Sequence, residues 1–163
     1  MTDFEMILEM AKMQEKLDAA LLEKGRQLGK IQSYNEERTI FALIDEIGEL
    51  VHELKGQWCW WKATQKPVDR NKVLEELVDC WHFGLSLDNH GNNLDCTDSD
   101  YMKIFVYSPL KCITWVISSA RMYQCVTEKL YSLTYALGFT MEDVYQGYIK
   151  KNKENYERIE RGY

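Results

Sequence analysis

Asn35-Glu36-Glu37-Arg38-Thr39-Ile40-Phe41-Ala42-Leu43-Ile44-Asp45-Glu46-Ile47-Gly48-Glu49-Leu50-Val51-His52-Glu53-Leu54 reads as one amphipathic helix, and it decides the fold class. Asn35 is an N-cap residue, and Glu36 and Glu37 put negative charge at the positive end of the helix dipole. Phe41, Ile44, Ile47, Leu50, Val51 and Leu54 then recur at helical spacing, and Gly56 is expected to close the element. Glu46 and Glu49 are interleaved with this apolar stripe. Three residues apart, they project from one face of the helix.

About thirty residues on, the pattern repeats. Val73, Leu74, Leu77, Val78, Trp81, Leu85 and Leu87 mark another helix, with Glu76 and Asp79 beside its apolar positions. Solvated helix faces are rich in Glu and Asp, so one such pair means little. Two pairs bordering buried stripes mean more, because packing four carboxylates together costs several kcal/mol per charge unless protons or cations compensate. Oxygen-only ligation favours Mg²⁺ or Mn²⁺ over zinc. Asp45, Glu53 and Glu75 are expected to face solvent or form ion pairs. Glu49-x-x-His52 and Asp79-x-x-His82 also fit the ligand pattern of di-iron bundles, in which case His82 would be a ligand instead of a substrate donor.

The other segments read as helices too. Met6, Leu8, Met10, Met13, Leu17, Leu21 and Leu22 predict a helix over about 3–24, ended by Gly25 and Gly29. Asn89 to Asn93 is turn chemistry that ends the Glu76 helix, and Asp98 or Ser99 can cap a short helix near 100–106. Ser108-Pro109 opens a long helix through Ile113, Val116, Ile117, Met122, Val126, Leu130 and Leu133, ended by Gly138. Thr140-x-x-Asp143 resembles a capping box and opens a final helix reaching nearly to Tyr163. Pro67 and Pro109 are the chain's two prolines. The expectation is an all-α, compact bundle of five to six helices forming one domain over residues 1–163.

Composition narrows the function. The 163 residues are 45% hydrophobic, enough for a real core, and no apolar run approaches the roughly 18 residues of a membrane span. A soluble, cytoplasmic protein is expected. Cys59, Cys80, Cys96, Cys112 and Cys125 are odd in number and lack C-x-x-C spacing, which argues against zinc and against a disulfide framework. A net charge of −6 disfavours a general nucleic-acid surface but permits a nucleotide held by metal and a few local cations.

Such cations lie near the C-terminus. Lys151, Asn155 and Arg158 fall at i, i+4 and i+7 on one helix face, either as a solvated face or as a phosphate or sugar reader. Trp58, Trp60 and Trp61 follow the first acidic helix. They are core residues, or one of them lies flat against a nucleobase with Lys62 meeting a phosphate.

Asp45-Glu46-Ile47-Gly48-Glu49, Trp58-Cys59-Trp60-Trp61-Lys62, Glu76-Leu77-Val78-Asp79-Cys80-Trp81-His82-Phe83, the Lys151, Asn155 and Arg158 pattern and the closing Gly162-Tyr163, with Gln14 and Leu17-Asp18, together resemble one family. It is the dimeric, all-α dUTPases of phages, some bacteria and trypanosomatids, within the MazG-related nucleoside triphosphate pyrophosphohydrolase superfamily. The resemblance spans residues 10–163 and is least diagnostic over 92–135. It implies Mg²⁺, two or more ions per site, on Glu46, Glu49, Glu76 and Asp79, with Mn²⁺ as a substitute. It also implies Glu49 as the base that takes the water proton.

By the same resemblance, Gln14, Asp18 and Trp61 lie near base and deoxyribose, and His82, Lys151, Asn155, Arg158 and Tyr163 hold sugar and phosphates. Cys59 stands where many relatives carry Lys, which leaves that charge to Lys62. Ile159 stands where Gln is common, and Asp18 where some members have Asn. The implied activity is hydrolysis of dUTP to dUMP and pyrophosphate by a homodimer. Alternatives are a related enzyme acting on dCTP or a modified nucleotide, and a non-catalytic helical module that binds another protein, such as a regulator.

Overall fold

The computed structural model describes residues 1–31, 33–91 and 107–162. Among these residues the chain is all-α, as its periodicity predicts, with seven helices. They are α1 (Asp3–Gln27), α2 (Glu36–Glu53), α3 (Lys55–Trp58), α4 (Arg70–Gly91), α5 (Pro109–Arg121), α6 (Thr127–Ala136) and α7 (Met141–Arg161). The short helix expected near 100–106 lies outside the described residues.

Local chemistry sets most boundaries. A Thr2/Glu5 capping box opens α1, the Asn35 side chain accepts from the Arg38 N–H at 2.8 Å to open α2, and a Thr140/Asp143 box opens α7. Asp69 Oδ1 accepts from the Asn71 N–H at 3.0 Å at the start of α4, and Ser108 caps α5 ahead of Pro109.

Three boundaries differ from expectation. α1 runs through Gly25 to Gln27, because a glycine inside a strong apolar stripe weakens a helix without ending it; the reversal falls at Gly29, with φ +66°. Gly56 does not close α2, which ends at Glu53, and the glycine sits inside the four-residue α3.

The long helix expected from Ser108-Pro109 to Gly138 is two helices, broken between Arg121 and Thr127 at Tyr123, whose φ is +55°. Its cause lies far off in sequence. The fully buried Asp88 of α4 accepts from the N–H groups of Val126, at 2.9 and 3.1 Å, and Thr127, at 2.8 Å. One carboxylate thus satisfies the orphan donors of a new helix start, which the apolar repeat alone could not announce.

Helix α4 is the axis of the molecule. It packs against α1, α2, α6 and α7, and its second half is buried nearly all round, from Leu77 through Asp88 apart from Asp79 and Phe83. Trp81 is fully buried and donates its indole N–H to Thr134 Oγ1 at 3.1 Å. Because α2 lies along α4, the two acidic motifs face one another. Because α1 and α7 close on α4 from the other side, Gln14, His82 and Tyr148 meet in the interior.

Candidate active site

Glu46 and Glu49 from α2 and Glu76 from α4 each bring one carboxylate oxygen into a group in which all lie within 4.8 Å of one another. Burial first, then the charges of Asp79, Glu49 and Glu76, pushes the Glu46 carboxyl up from 4.5 to about 7. Burial, then Glu49, Asp79 and Glu75, raises Glu76 from 4.5 to about 7. Burial and mutual repulsion, only partly offset by the Lys151 charge, favour protons on these acids near neutrality.

Asp79 belongs to the same field but is partnered otherwise. Its Oδ2 accepts from Lys151 Nζ at 2.6 Å, and burial outweighs that ion pair to leave its pKa raised. Burial alone would lower the Lys151 pKa, but the bond to Asp79 and its charge outweigh this and hold the ammonium protonated. The donor set of the compact group is all oxygen, with negative charge in excess, and so fits a hard divalent cation. No histidine joins it among the described residues. His52 Nδ1 sits 3.3 Å from Lys55 Nζ, and His82 turns to Gln14, so the di-iron reading lacks its nitrogen ligands.

Beside the acids opens a cleft of about 370 Å³, lined by Glu46 and Asp79 at one end and by Gln14, Asp18, His82 and Ser86 deeper in. Its wall is a chain of hydrogen bonds. Tyr148 O–H and the His82 ring both meet Gln14 Oε1, at 2.6 and 2.8 Å. Gln14 Nε2 donates to Asp18 Oδ1 at 2.7 Å, and Ser86 Oγ donates to Asp18 Oδ2 at 2.7 Å.

An amide oxygen only accepts, so His82 must carry its hydrogen on Nδ1. Burial first, then the nearby Lys151 charge, drives its pKa down to about 3, so the ring is neutral and Nε2 is a bare acceptor. That Nε2 is buried and has no hydrogen-bond partner. Asp18 is itself raised by burial, opposed by its bonds to Ser86 and Gln14 and by His90, whose Nε2 lies 3.3 Å from Oδ2.

Of the residues singled out in the sequence, Gln14, Asp18, Glu46, Asp79, His82, Lys151, Asn155 and Arg158 all line this one cleft, and Glu49 and Glu76 adjoin it through the acidic group. Trp61 and Lys62 do not line it. Trp60 is 88% and Trp61 59% exposed, and Lys62 borders a separate recess with Lys55, Lys66 and Lys72. Tyr163 lies outside the described residues. Tyr34 and Ser86 complete the polar lining, with Tyr148 on Gln14 and His90 on Asp18 behind it, and no periodicity or motif marks them, since each is recruited by tertiary packing alone.

Among the described residues, no helix is long and apolar enough to cross a membrane, and Cys59, Cys80, Cys112 and Cys125 are free thiols. A comparison with curated proteins gives no match. The family model for dUTPases matches residues 6–163, a span that holds both acidic motifs and every lining residue of the cleft, and the chain therefore belongs to the dUTPase family and hydrolyses dUTP.

Proposed function

We propose that this enzyme cleaves dUTP between the α- and β-phosphates to give dUMP and pyrophosphate, with Mg²⁺ as its cofactor. The observation that carries this reading is the group of three mutually repelling carboxylates beside a cleft that holds both hydrogen-bonding side chains and the cations Lys151 and Arg158. Glu46, Glu49, Glu76 and Asp79 would hold the ions, with Mn²⁺ as a substitute. Bound there, Mg²⁺ supplies positive charge against the triphosphate and acidifies water.

The chain's own groups divide the remaining work. Glu49, exposed beside the half-buried Glu46 and Glu76, takes the proton as water attacks the α-phosphorus and the bond to the bridging oxygen breaks. Lys151, Asn155 and Arg158 bind phosphate and sugar oxygens from α7, joined by Tyr163. Gln14 and Asp18 face the base, and the bare Nε2 of His82 accepts from the nucleoside. Trp61 and Lys62 act on the substrate from the loop after α3. The enzyme is a single-domain, cytoplasmic homodimer.

Purified protein assayed with dUTP, dCTP, dTTP and UTP in Mg²⁺ tests the reading. Pyrophosphate release is expected to be fastest with dUTP. A preference for dCTP would move the substrate within the same chemistry, and no release from any nucleotide would refute an enzymatic role and leave a protein-binding module. Glu49→Gln should lower turnover by at least about 100-fold while the helical circular dichroism stays unchanged.

A further inference from the structure

Four lysines converge on one recess of about 630 Å³: Lys55 from α3, Lys62 and Lys66 from the loop that follows, and Lys72 from the first turn of α4. The backbone beneath them is held in place. Trp58 Nε1 donates to the Val51 carbonyl at 2.8 Å, which ties α3 to α2, and Gln65 Nε2 donates to the Cys59 carbonyl at 3.0 Å, which closes the loop. The recess shares no lining residue with the nucleotide cleft.

Among the described residues, none of the four ammonium groups is paired with a carboxylate. Lys55 Nζ lies 3.3 Å from His52 Nδ1; an ammonium only donates, so the ring accepts there as a neutral group. Two acids line the recess. Asp69 is committed to the start of α4, where its Oδ1 accepts from the Asn71 N–H at 3.0 Å, and Glu53 is left facing four lysines. In a chain of net charge −6, cations gathered in this way are held against their own repulsion, and a concavity lined by one sign of charge concentrates counter-ions of the other.

The recess also has a position relative to the acids. His52 and Glu53 line a groove as well, together with Asp45, Gly48, Glu49 and Glu76. Glu46 and Asp79 border the nucleotide cleft, and Glu49 and Glu76 border this groove, so the acidic group lies between the cleft and the lysines. On α4, Lys72 precedes Glu76 by four residues, about 6 Å along the axis. The groove is clear at Gly48, where an added Cβ would meet nothing within 4 Å. Glycine weakens a helix interior, and no neighbour requires one at this position.

Ammonium groups are point charges, and several of them around one cavity suit a compact anion that carries several charges, as linked phosphates do. We propose that the lysine recess is a second phosphate site, which binds free pyrophosphate apart from the nucleotide. The identity of the anion rests on the reading of the acidic group as the centre of dUTP cleavage, since that reaction releases pyrophosphate a helical turn away. Pyrophosphate held here leaves the cleft open, so this part of its inhibition is not relieved by dUTP.

The test is pyrophosphate binding to the full chain in EDTA, by calorimetry, with orthophosphate for comparison. Lys66 and Lys72 are the residues to change, because both are exposed and neither belongs to the nucleotide cleft. Wild type should bind pyrophosphate more tightly than orthophosphate, with a Kd that saturating dUMP leaves unchanged. The Lys66→Gln/Lys72→Gln variant should raise that Kd about tenfold, and Lys66→Arg/Lys72→Arg should restore it, while dUTP kcat and KM in Mg²⁺ stay within about twofold. An unchanged Kd in the glutamine variant, displacement of pyrophosphate by dUMP, or no binding by wild type overturns the site. A dUTP KM that rises together with the pyrophosphate Kd also overturns it, because the phosphates bound there would then be the nucleotide's own. Turnover of dUTP without pyrophosphate binding removes the recess alone, and pyrophosphate binding without turnover of any nucleotide removes the dUTP reading alone.

Discussion

Replacing Glu76 by glutamine should make the metal-free protein more stable at pH 8. In the fold its carboxyl titrates near 7 instead of 4.5, through burial and the neighbouring charges of Glu49, Asp79 and Glu75. A raised carboxylate pKa means that the folded chain holds the proton more tightly. The associated stability is full below pH 4.5 and is lost as pH rises through about 7. Above that window the ionised group works against the fold, and an uncharged glutamine does not.

At about 1.4 kcal/mol per pH unit, the displacement sets a ceiling of about 3.4 kcal/mol. Glu76 is partly open to water, and solvent screening reduces this to about 1 kcal/mol, or a rise in Tm of about 2–4 °C for a chain of this size. Thermal unfolding in EDTA at pH 4.5 and pH 8, followed by Mg²⁺ titration, measures it. The variant should match wild type at the lower pH, exceed it at the higher, and gain less from Mg²⁺, because a ligand that binds only the native state stabilises in proportion to its affinity. A variant that melts lower than wild type at pH 8 in EDTA, yet gains as much from Mg²⁺, would refute the view that these acids are held against their own repulsion to receive a cation.

Two further outcomes follow from the same structure. Mg²⁺ affinity by calorimetry should fall below pH 7, with proton release on binding, because Glu46 and Glu76 must shed protons to ligate; a flat profile from pH 6 to pH 8 would contradict this. Asp88→Ala strands the buried N–H groups of Val126 and Thr127 and should cost about 2–5 kcal/mol in urea unfolding, with Asp88→Asn intermediate; a loss below about 1 kcal/mol would show that the cap is dispensable.

Sequence and structure agree where the signal is local. Asn35, Ser108-Pro109 and Thr140-x-x-Asp143 each cap the helix they announce, because a cap is made within four residues. The apolar stripes place α2 and α4 correctly, and with them the acidic pairs. What stays hidden depends on groups distant in the chain. Apolar spacing runs on unbroken past Arg121, and only Asp88 from α4 shows why α6 starts afresh.

The site divides in the same way. Four acids at i, i+3 spacing can be read as one set, but Lys151, 72 residues beyond Asp79, takes the fourth acid as its own partner. Gln14 and Asp18 entered by resemblance, and His82 first by its spacing from Asp79. That Gln14 fixes the tautomer of His82 follows only from seeing α1, α4 and α7 together.

Four of the five indoles fall into two populations, and the fifth, Trp115, is half-buried against Tyr107. Trp58 is tethered to the Val51 carbonyl at 2.8 Å and Trp81 is sealed in the core, while Trp60 and Trp61 stand in water with rings 5.8 Å apart. Emission from this molecule is therefore a sum of a short-wavelength, shielded component and a long-wavelength one open to collisional quenchers. The second comes from the segment directly after α3, which gives the chain an intrinsic optical reporter of whatever settles over that segment.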